Sequence, residues 1–535
     1  MNSRNRQRDS RGDDRPEPPP ASGPACPAVG VDWVIGRLLL LVFICSLLYA
    51  IWTASIGWGN TLNDRHSFRQ TQTATTAYWM IGKPFTLAYE TPVLGKPWSI
   101  PMEFPLYQWI VARLVGLFGT PLDQTGRFVS LVFFLLTTIP LYRLVRSFGV
   151  ATHHAWVPLI LFVTSPFYIF WSRAFMIEST ALFFSVAYLA AAMEASKNGA
   201  RWTVALAVVF GALAALVKVT TFLVYLAVIG AIGGIRLWRK WTRHRDARVL
   251  GPFVLRQGLI MAIPFLLAVT WLRFGDALKN QNPIAAEYIT SRVQNGWNFG
   301  TLSQKFSGLT WGVIVGRFPE IVGLPPLAWL LLGVTLAVTF VHRRRWRETL
   351  ACLGAYLLAP AVFTNLYFIH DYYANANGIF LIAAIGFAIV GLFEDSATRV
   401  AGAVVATTTL LTAVCGHAVL YGPRQATNSA EVLHAAEYIQ SATAEDSVIV
   451  CLSNDWSPLV SYYARRRALN LPMESDRSMP SELATKAFAE LRGEKIGAIV
   501  LVEPVLFPLE TAKRLLRDAG FEDVPVLTVK GLPKF

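Results

Sequence analysis

Glu103-Phe-Pro-Leu-Tyr-Gln-Trp-Ile-Val-Ala-Arg-Leu-Val-Gly-Leu-Phe118 decides how this chain is laid out. The run is apolar-rich over only about fifteen residues and carries Arg113, whereas a helix crossing a ~30 Å hydrocarbon core needs ~20 apolar residues. Eleven other runs come close to that length: 33–56, 126–146, 152–171, 178–196, 202–217, 219–238, 252–272, 321–341, 349–369, 374–393 and 399–420. If the short run also crosses, the chain changes side there. The basic clusters Arg236, Arg239, Lys240, Arg243, Arg245, Arg248 and Arg343, Arg344, Arg345, Arg347 then face outward. If it lies along the surface or re-enters, both clusters face the cytoplasm, as do Arg143 and Arg146. The second arrangement satisfies the positive-inside tendency at every strong cluster. Residues 57–125 are therefore expected to form one large outer loop with interfacial helices.

Composition agrees. Of 535 residues, 54% are hydrophobic and 15% charged, and mean hydropathy is +0.43. A soluble globular chain is about 25% charged, so the expected class is a polytopic α-helical membrane protein of about eleven spans. The net charge of +14 is no nucleic-acid signal. It sits in short loops beside apolar runs, with no aromatic-interleaved basic face. The five cysteines, Cys26, Cys45, Cys352, Cys415 and Cys451, have neither metal-ligand spacing nor a disulfide pattern.

Residues 1–31 are polar and rich in Pro and Arg, too poor in apolar area to fold, and are expected to be a disordered cytoplasmic tail. The run Trp33 to Ile56 is too long for a signal-peptide core and is taken as an uncleaved first span. Spans and their loops make a module over 32–424. An odd number of spans puts the C-terminus outside. From about 425 short β-rich runs (Val448–Leu452, Ile496–Val502, Val524–Val529) alternate with helical patterns, which suggests a small α/β domain over 425–535 on the periplasmic or extracellular side.

Chemistry-bearing residues cluster in the outer segments. The first loop reads Asn63-Asp-Arg-His-Ser-Phe-Arg-Gln-Thr-Gln-Thr-Ala74. Asp64 suits a general base; Arg65 and Arg69 suit a phosphate. A solvated loop ahead of an amphipathic helix is the plainer reading. Glu103 and Glu178 are either sugar-hydroxyl or proton ligands, or charges favouring helix N-termini. Lys218 binds a lipid phosphate or snorkels. His370-Asp-Tyr-Tyr373 is more polar than an interfacial anchor requires. The Asp455-Trp456 pair is either a carbohydrate contact or a core Trp beside an N-capping Asp.

In order along the chain these segments resemble the membrane-embedded GT-C glycosyltransferases, specifically the family 39-like group that includes protein O-mannosyltransferases and the aminoarabinose transferase of lipid A. An "HSWRQADTA"-like first loop is similar to His66-Ser-Phe-Arg-Gln-Thr-Gln-Thr-Ala74, and an "EFPLYQ" stretch to Glu103–Gln108. A "SPLF..SR...PD" element resembles Ser165 to Tyr168 with Ser172, Arg173 and Glu178. "HYY" resembles His370-Asp-Tyr-Tyr373, and "DWSP…YYA.R" resembles Asp455 to Arg465. The resemblance spans about residues 30–470. Gln72 stands where the subgroup has Asp, the wider family's "DE" falls on Arg69-Gln70, and Glu178 follows Ile177 rather than Pro.

The resemblance implies a polyprenyl-phosphate sugar donor in the bilayer of the cytoplasmic membrane. It implies one inverting displacement by a hydroxyl of a glycan, lipid or protein acceptor at the outer face. Asp64, the best remaining base in the first loop, or else Glu103 or Glu178, takes the proton. Arg65, Arg69, Arg173, Lys218 and His370 stabilise the leaving phosphate, with His66, Gln70, Tyr372 and Tyr373 as further substrate contacts. A divalent cation held by Asp64 and Glu178 is left open, and no other cofactor is implied. Two rivals stand beside this reading. A flippase or transporter usually carries ionisable groups at mid-membrane, whereas here they gather at the ends of spans. A non-catalytic assembly subunit is suggested by Gln72.

Overall fold

The computed structural model describes residues 31–244, 247–453, 455–471, 480–502 and 507–529. The tail expected to be disordered lies, but for its last residue, outside them. The first half runs α1 (Val31–Ser55), α2 (Ser67–Met80), α3 (Leu106–Phe118), α4 (Leu122–Leu136), α5 (Thr138–Ser147), α6 (Trp156–Thr164), α7 (Pro166–Trp171), α8 (Glu178–Asn198), α9 (Arg201–Val217), α10 (Val219–His244) and α11 (Ala247–Lys279). Short helices follow: α12 (Pro283–Tyr288), α13 (Gln294–Phe299), α14 (Leu302–Phe306), α15 (Gly308–Gly316) and α16 (Phe318–Val322). Then come α17 (Pro325–His342), α18 (Trp346–Val362), α19 (Thr364–Ile369), a 3₁₀ turn (Asp371–Asn375), α20 (Gly378–Phe393) and α21 (Arg399–Leu420).

Among the described residues seven helical stretches are long and apolar enough to cross a membrane, and shorter apolar helices such as Arg201–Val217 and Gly378–Phe393 pack among them. Several expected spans are interrupted for local reasons. The run 152–171 breaks at Ser165, whose extended backbone (φ −57°, ψ 123°) is what a following proline imposes. The run 349–369 breaks at Phe363, and the run 374–393 becomes helical only at Gly378.

The first loop departs further from expectation. α2 is no surface amphipath: ten of its 14 residues are buried, among them Gln70, Thr71, Gln72, Thr73, Thr75 and Thr76. Burial is tolerable because the hydroxyls of Thr71, Thr73, Thr75 and Thr76 donate to carbonyls one turn back. The stretch 273–320, read from the sequence as a further outer loop, is not a plain loop either, since α11 continues to Lys279 and five short helices follow.

The bundle has two chemically distinct ends. Arg345 donates to the carbonyls of Phe148 and Gly149 and pairs with Glu394, while Arg236 reaches the carbonyl of Met193 near the end of α8. The arginine-rich turns thus share one end. The turns after α1, α7, α9 and α19 share the other.

Beyond α21, α22 (Gly422–Ala426) leads into α23 (Glu431–Ala442), β1 (Val448–Leu452), α24 (Leu459–Ala464), β2 (Arg467–Asn470), α25 (Ser481–Ala489), β3 (Ile496–Val502), α26 (Leu509–Asp518) and β4 (Val526–Val529). All four strands are parallel, in the order β2-β1-β3-β4. One sheet face carries Ile449, Cys451, Val500 and Leu527 against α23 and α24. The other carries Val448, Val450, Leu452 and Ile499, and its apolar cluster includes Val93, Leu94, Ile100 and Ile284 from the first loop and α12. The segment around Leu94 runs antiparallel beside β2: Ala468 donates to the Pro92 carbonyl (3.1 Å) and Asn470 to that of Val93 (3.0 Å). The tail sheet is completed by chain from the other half of the molecule.

Candidate active site

Two buried arginines set the turn after α1. Arg127, fully buried on α4, donates to the carbonyls of Trp58 (2.7 Å), Asn60 (2.6 Å) and Thr61 (3.1 Å). Arg173 donates to the carbonyl of Gly57 at 2.7 Å. Gly57 is needed there: its φ is +65°, and a Cβ would fall 2.0 Å from the Gln425 carbonyl oxygen. His66, itself left-handed at φ 56°, turns the chain into α2.

Four carboxylates at this end, Asp64, Glu103, Glu178 and Asp371, each lie against a different cation. Asp64 accepts from the Gln70 amide, and its other oxygen lies 3.8 Å from Arg173 Nη1. Gln70 Oε1 accepts from the Phe175 N–H at 3.0 Å, tying this acid to the turn after α7. Glu103 is paired with Arg69 and accepts from Gln108 at 3.2 Å. Glu178 lies 2.5 Å from Lys218 Nζ, both buried, and the same ammonium sits 4.2 Å from the centre of the Tyr373 ring. Asp371 is paired with Arg65 and lies 2.8 Å from His66 Nε2.

The rings knit these pairs together. Tyr372 and Tyr373 stack at 4.9 Å; Tyr372 stands edge-on to His66 at 4.8 Å, and His370 lies 5.5 Å from His66. Arg69 is within electrostatic reach of Glu178, Tyr372 and Tyr373. The structure therefore gathers Asp64, Arg65, His66, Arg69, Gln70, Glu103, Arg173, Glu178, Lys218, His370, Tyr372 and Tyr373 into one connected network.

Burial tunes the charges in this network. Desolvation raises the Asp64 carboxyl above its ordinary value, against the pull of Arg173, Arg127 and the Gln70 hydrogen bond. Burial works against the charge of Asp371 too, but the His66 hydrogen bond and Arg65 outweigh it and hold that carboxyl low. Arg173 is pushed down to about 10 by burial and by Arg127, and stays a cation at neutral pH. His370 is pushed down to about 3 by burial and then by His66, so its ring is neutral. In the neutral form it can still hydrogen-bond a phosphate.

Asp64 and Glu178 do not fit a divalent cation as a pair. Arg173 and Lys218 already face them and would repel one, and among the described residues no group of three or more His, Cys, Asp or Glu is arranged to ligate a metal. Gln72, where the resembled subgroup has Asp, accepts from Arg69 at 2.8 Å and helps aim it at Glu103. Three participants escape the sequence reading. Asp371 stood inside the His370–Tyr373 motif. Arg127 was a lone charge at the mouth of an apolar run. Glu320, 3.6 Å from Arg65, accepts from the Tyr421 hydroxyl at 2.7 Å. Trp456, half-buried, packs edge-on to Phe68 at 4.6 Å, and Asp455 accepts from the Trp456 N–H at 2.7 Å; α24 begins beyond them at Leu459 without a side-chain cap, so Asp455 is not its N-cap.

Similarity searches address the same architecture. Residues 97–271, about a third of the chain, match the profile of the dolichyl-phosphate-mannose-protein mannosyltransferase family. ArnT from Cupriavidus metallidurans, solved bound to undecaprenyl phosphate, superposes with a TM-score of 0.54 at 14% identity, covering 93% of this chain and 90% of that one. The oligosaccharyltransferase AglB from Archaeoglobus fulgidus, solved with an inhibitory peptide and a dolichol-phosphate, gives 0.50 at 12% identity, covering 82% and 65%. This chain has the GT-C glycosyltransferase fold. The profile match and the GT-C fold agree on one class of activity, glycosyl transfer by a membrane protein. No curated protein sequence matches it significantly.

Proposed function

We propose that the chain moves a sugar from a polyprenyl-phosphate carrier to a hydroxyl acceptor on the non-cytoplasmic face of a cell's inner membrane. The observation that carries this reading is the convergence of four acid–cation pairs at the bundle end opposite the arginine-rich turns. By the positive-inside tendency those turns are cytoplasmic, so the site, and the tail sheet beside it, face the other way. The lipid phosphates bound to ArnT and AglB suggest the carrier's chemistry.

In the proposed step the acceptor oxygen attacks the anomeric carbon, and the bond from that carbon to the phosphate oxygen breaks with inversion. The acceptor proton passes to Asp64. Of the three candidate acids Asp64 suits this best. Its cation is the most distant, its side chain is 18% exposed against 12% for Glu103 and 2% for Glu178, and its raised pKa favours proton uptake. Arg69, Lys218 and Arg65 meet the charge growing on the departing lipid phosphate, in a setting dry enough to make that attraction count. Glu103 and Glu178 hold two of these cations in place.

The test is release of undecaprenyl phosphate from undecaprenyl-phosphate sugars in proteoliposomes supplied with cell-envelope glycan, lipid and peptide acceptors. Acceptor-dependent release by the wild type, lowered about 10²-fold or more in Asp64→Asn, is expected. Full turnover in that variant removes Asp64 from the reaction. Movement of the donor across the bilayer with no bond cleaved replaces transfer with transport.

A further inference from the structure

In the stretch 301–316, α14 and α15, the longer polar side chains reach inward while three large apolar ones point out; of its small polar residues Thr301 and Ser303 are exposed. Thr301 and Gln304 close a capping box, and Gln304 Nε2 also donates to Asn365 Oδ1 at 2.9 Å. Lys305, the one charged residue of the stretch, donates to the carbonyls of Ala361 (3.0 Å) and Val362 (2.9 Å) and to the Thr364 hydroxyl (3.1 Å), capping the end of α18. The Trp311 indole donates to the Lys305 carbonyl at 2.7 Å. What faces away is Leu302, Phe306 and Leu309, which are 74%, 86% and 76% exposed. Three large apolar side chains this bare, without a charge among them, mark a surface made for an apolar neighbour.

That surface is continuous with the exposed apolar flank of α18, part of the run 349–369 that the sequence reads as a span. Phe299 stacks on Phe363 at 5.3 Å, and the apolar flank of α18 presents Leu357 and Val362 beside it. At nine residues α15 is roughly 14 Å long, too short to cross the ~30 Å core. We propose that 301–316 is a wedge lying within the lipid leaflet at the site end of the bundle, not an aqueous loop, with acyl chains packed on Leu302, Phe306 and Leu309. It borders the site through Asn365, which donates to the Trp297 carbonyl at 2.8 Å, and through the Trp297 ring, 6.1 Å from His370. The wedge does not depend on the proposed reaction.

Hydroxyl-radical footprinting of the wild-type chain in phosphatidylethanolamine/phosphatidylglycerol vesicles tests it without any substitution. Tyr438 on α23 is 48% exposed and serves as the water-facing standard. After normalising each residue to its reactivity in a free peptide, Phe306 is expected to be modified at least about tenfold more slowly than Tyr438, although its ring is the barer of the two. Equal or faster modification of Phe306 overturns the proposal. A second arm uses Phe306→Cys carrying a nitroxide. Collisions with oxygen exceeding those with a water-soluble nickel chelate support immersion, and the reverse order overturns it. Either result stands whether or not the chain releases polyprenyl phosphate, so failure of the wedge and failure of the proposed transfer are separate readouts.

Discussion

Lys218 sits between two apolar helices with Glu178 as its ion partner and Tyr373 beneath it. A buried ion pair is worth little against a well-packed apolar replacement, but half of one is costly, about 3–5 kcal/mol. Lys218→Met should therefore lower the thermal midpoint in detergent sharply. The double variant Lys218→Met/Glu178→Gln should regain most of that loss. Equal midpoints for single and double variants would mean the pair is not coupled. Two titrations follow from burial. The proposed transfer step needs the Asp64 carboxylate, whose folded pKa is raised. The rate should thus fall as pH drops through a value above the ordinary ~3.9, and Asp64→Asn should erase that acid limb from the pH profile of kcat/KM. His370 is the opposite case. Its buried ring stays neutral down to about 3, whereas the unfolded chain takes up a proton near ~6.5. Stability contributed by the buried neutral ring is present above that value and is lost as pH falls below it. Denaturation at pH 7.5 and 5 should show this loss, and His370→Gln should reduce it.

At the scale of elements, the joint between tail and bundle rests on α24. Tyr462 and Tyr463 both donate to Asp123 at the start of α4, and the Tyr463 oxygen also accepts from the Leu62 N–H at 2.6 Å. Tyr463→Phe removes both of its contacts and leaves the Leu62 donor unpaired, at about 1–3 kcal/mol. Faster hydrogen exchange over 459–464, with the bundle unchanged, is the expected signature. How far such elements are legible in sequence depends on where their partners lie. β1 and β3 show plainly as apolar runs because both faces of a parallel strand are buried. β2 does not: a helical pattern over 458–467 runs into its first residue, the rest carries no strand signal, and only β1 on one side and residues 92–95 on the other make Arg467–Asn470 a strand. α2 hides for a related reason. Its Thr and Gln side chains look solvated until the backbone carbonyls and site partners that satisfy them are seen. Chemistry-bearing motifs were visible because they interrupt apolar sequence, but the pairing of each acid with its own cation is a three-dimensional fact.

For the molecule as a whole, the two ends make a prediction about sidedness. With single cysteines at Asp64 and Arg344, a membrane-impermeant maleimide added to intact cells should label the first and spare the second, and inverted vesicles should reverse the order. Label reaching both from one side would undo the proposed orientation. The shared sheet has a consequence for how the chain is made. Val93, Leu94 and Ile100 leave the ribosome more than 350 residues before β2 and β3 exist to cover them. Through most of synthesis the early loop must wait with sticky side chains and a free backbone edge. Biogenesis of this protein should therefore lean on whatever chaperones patrol that compartment. Cut out and expressed alone, residues 425–535 would expose the matching edge of β2 and should self-associate.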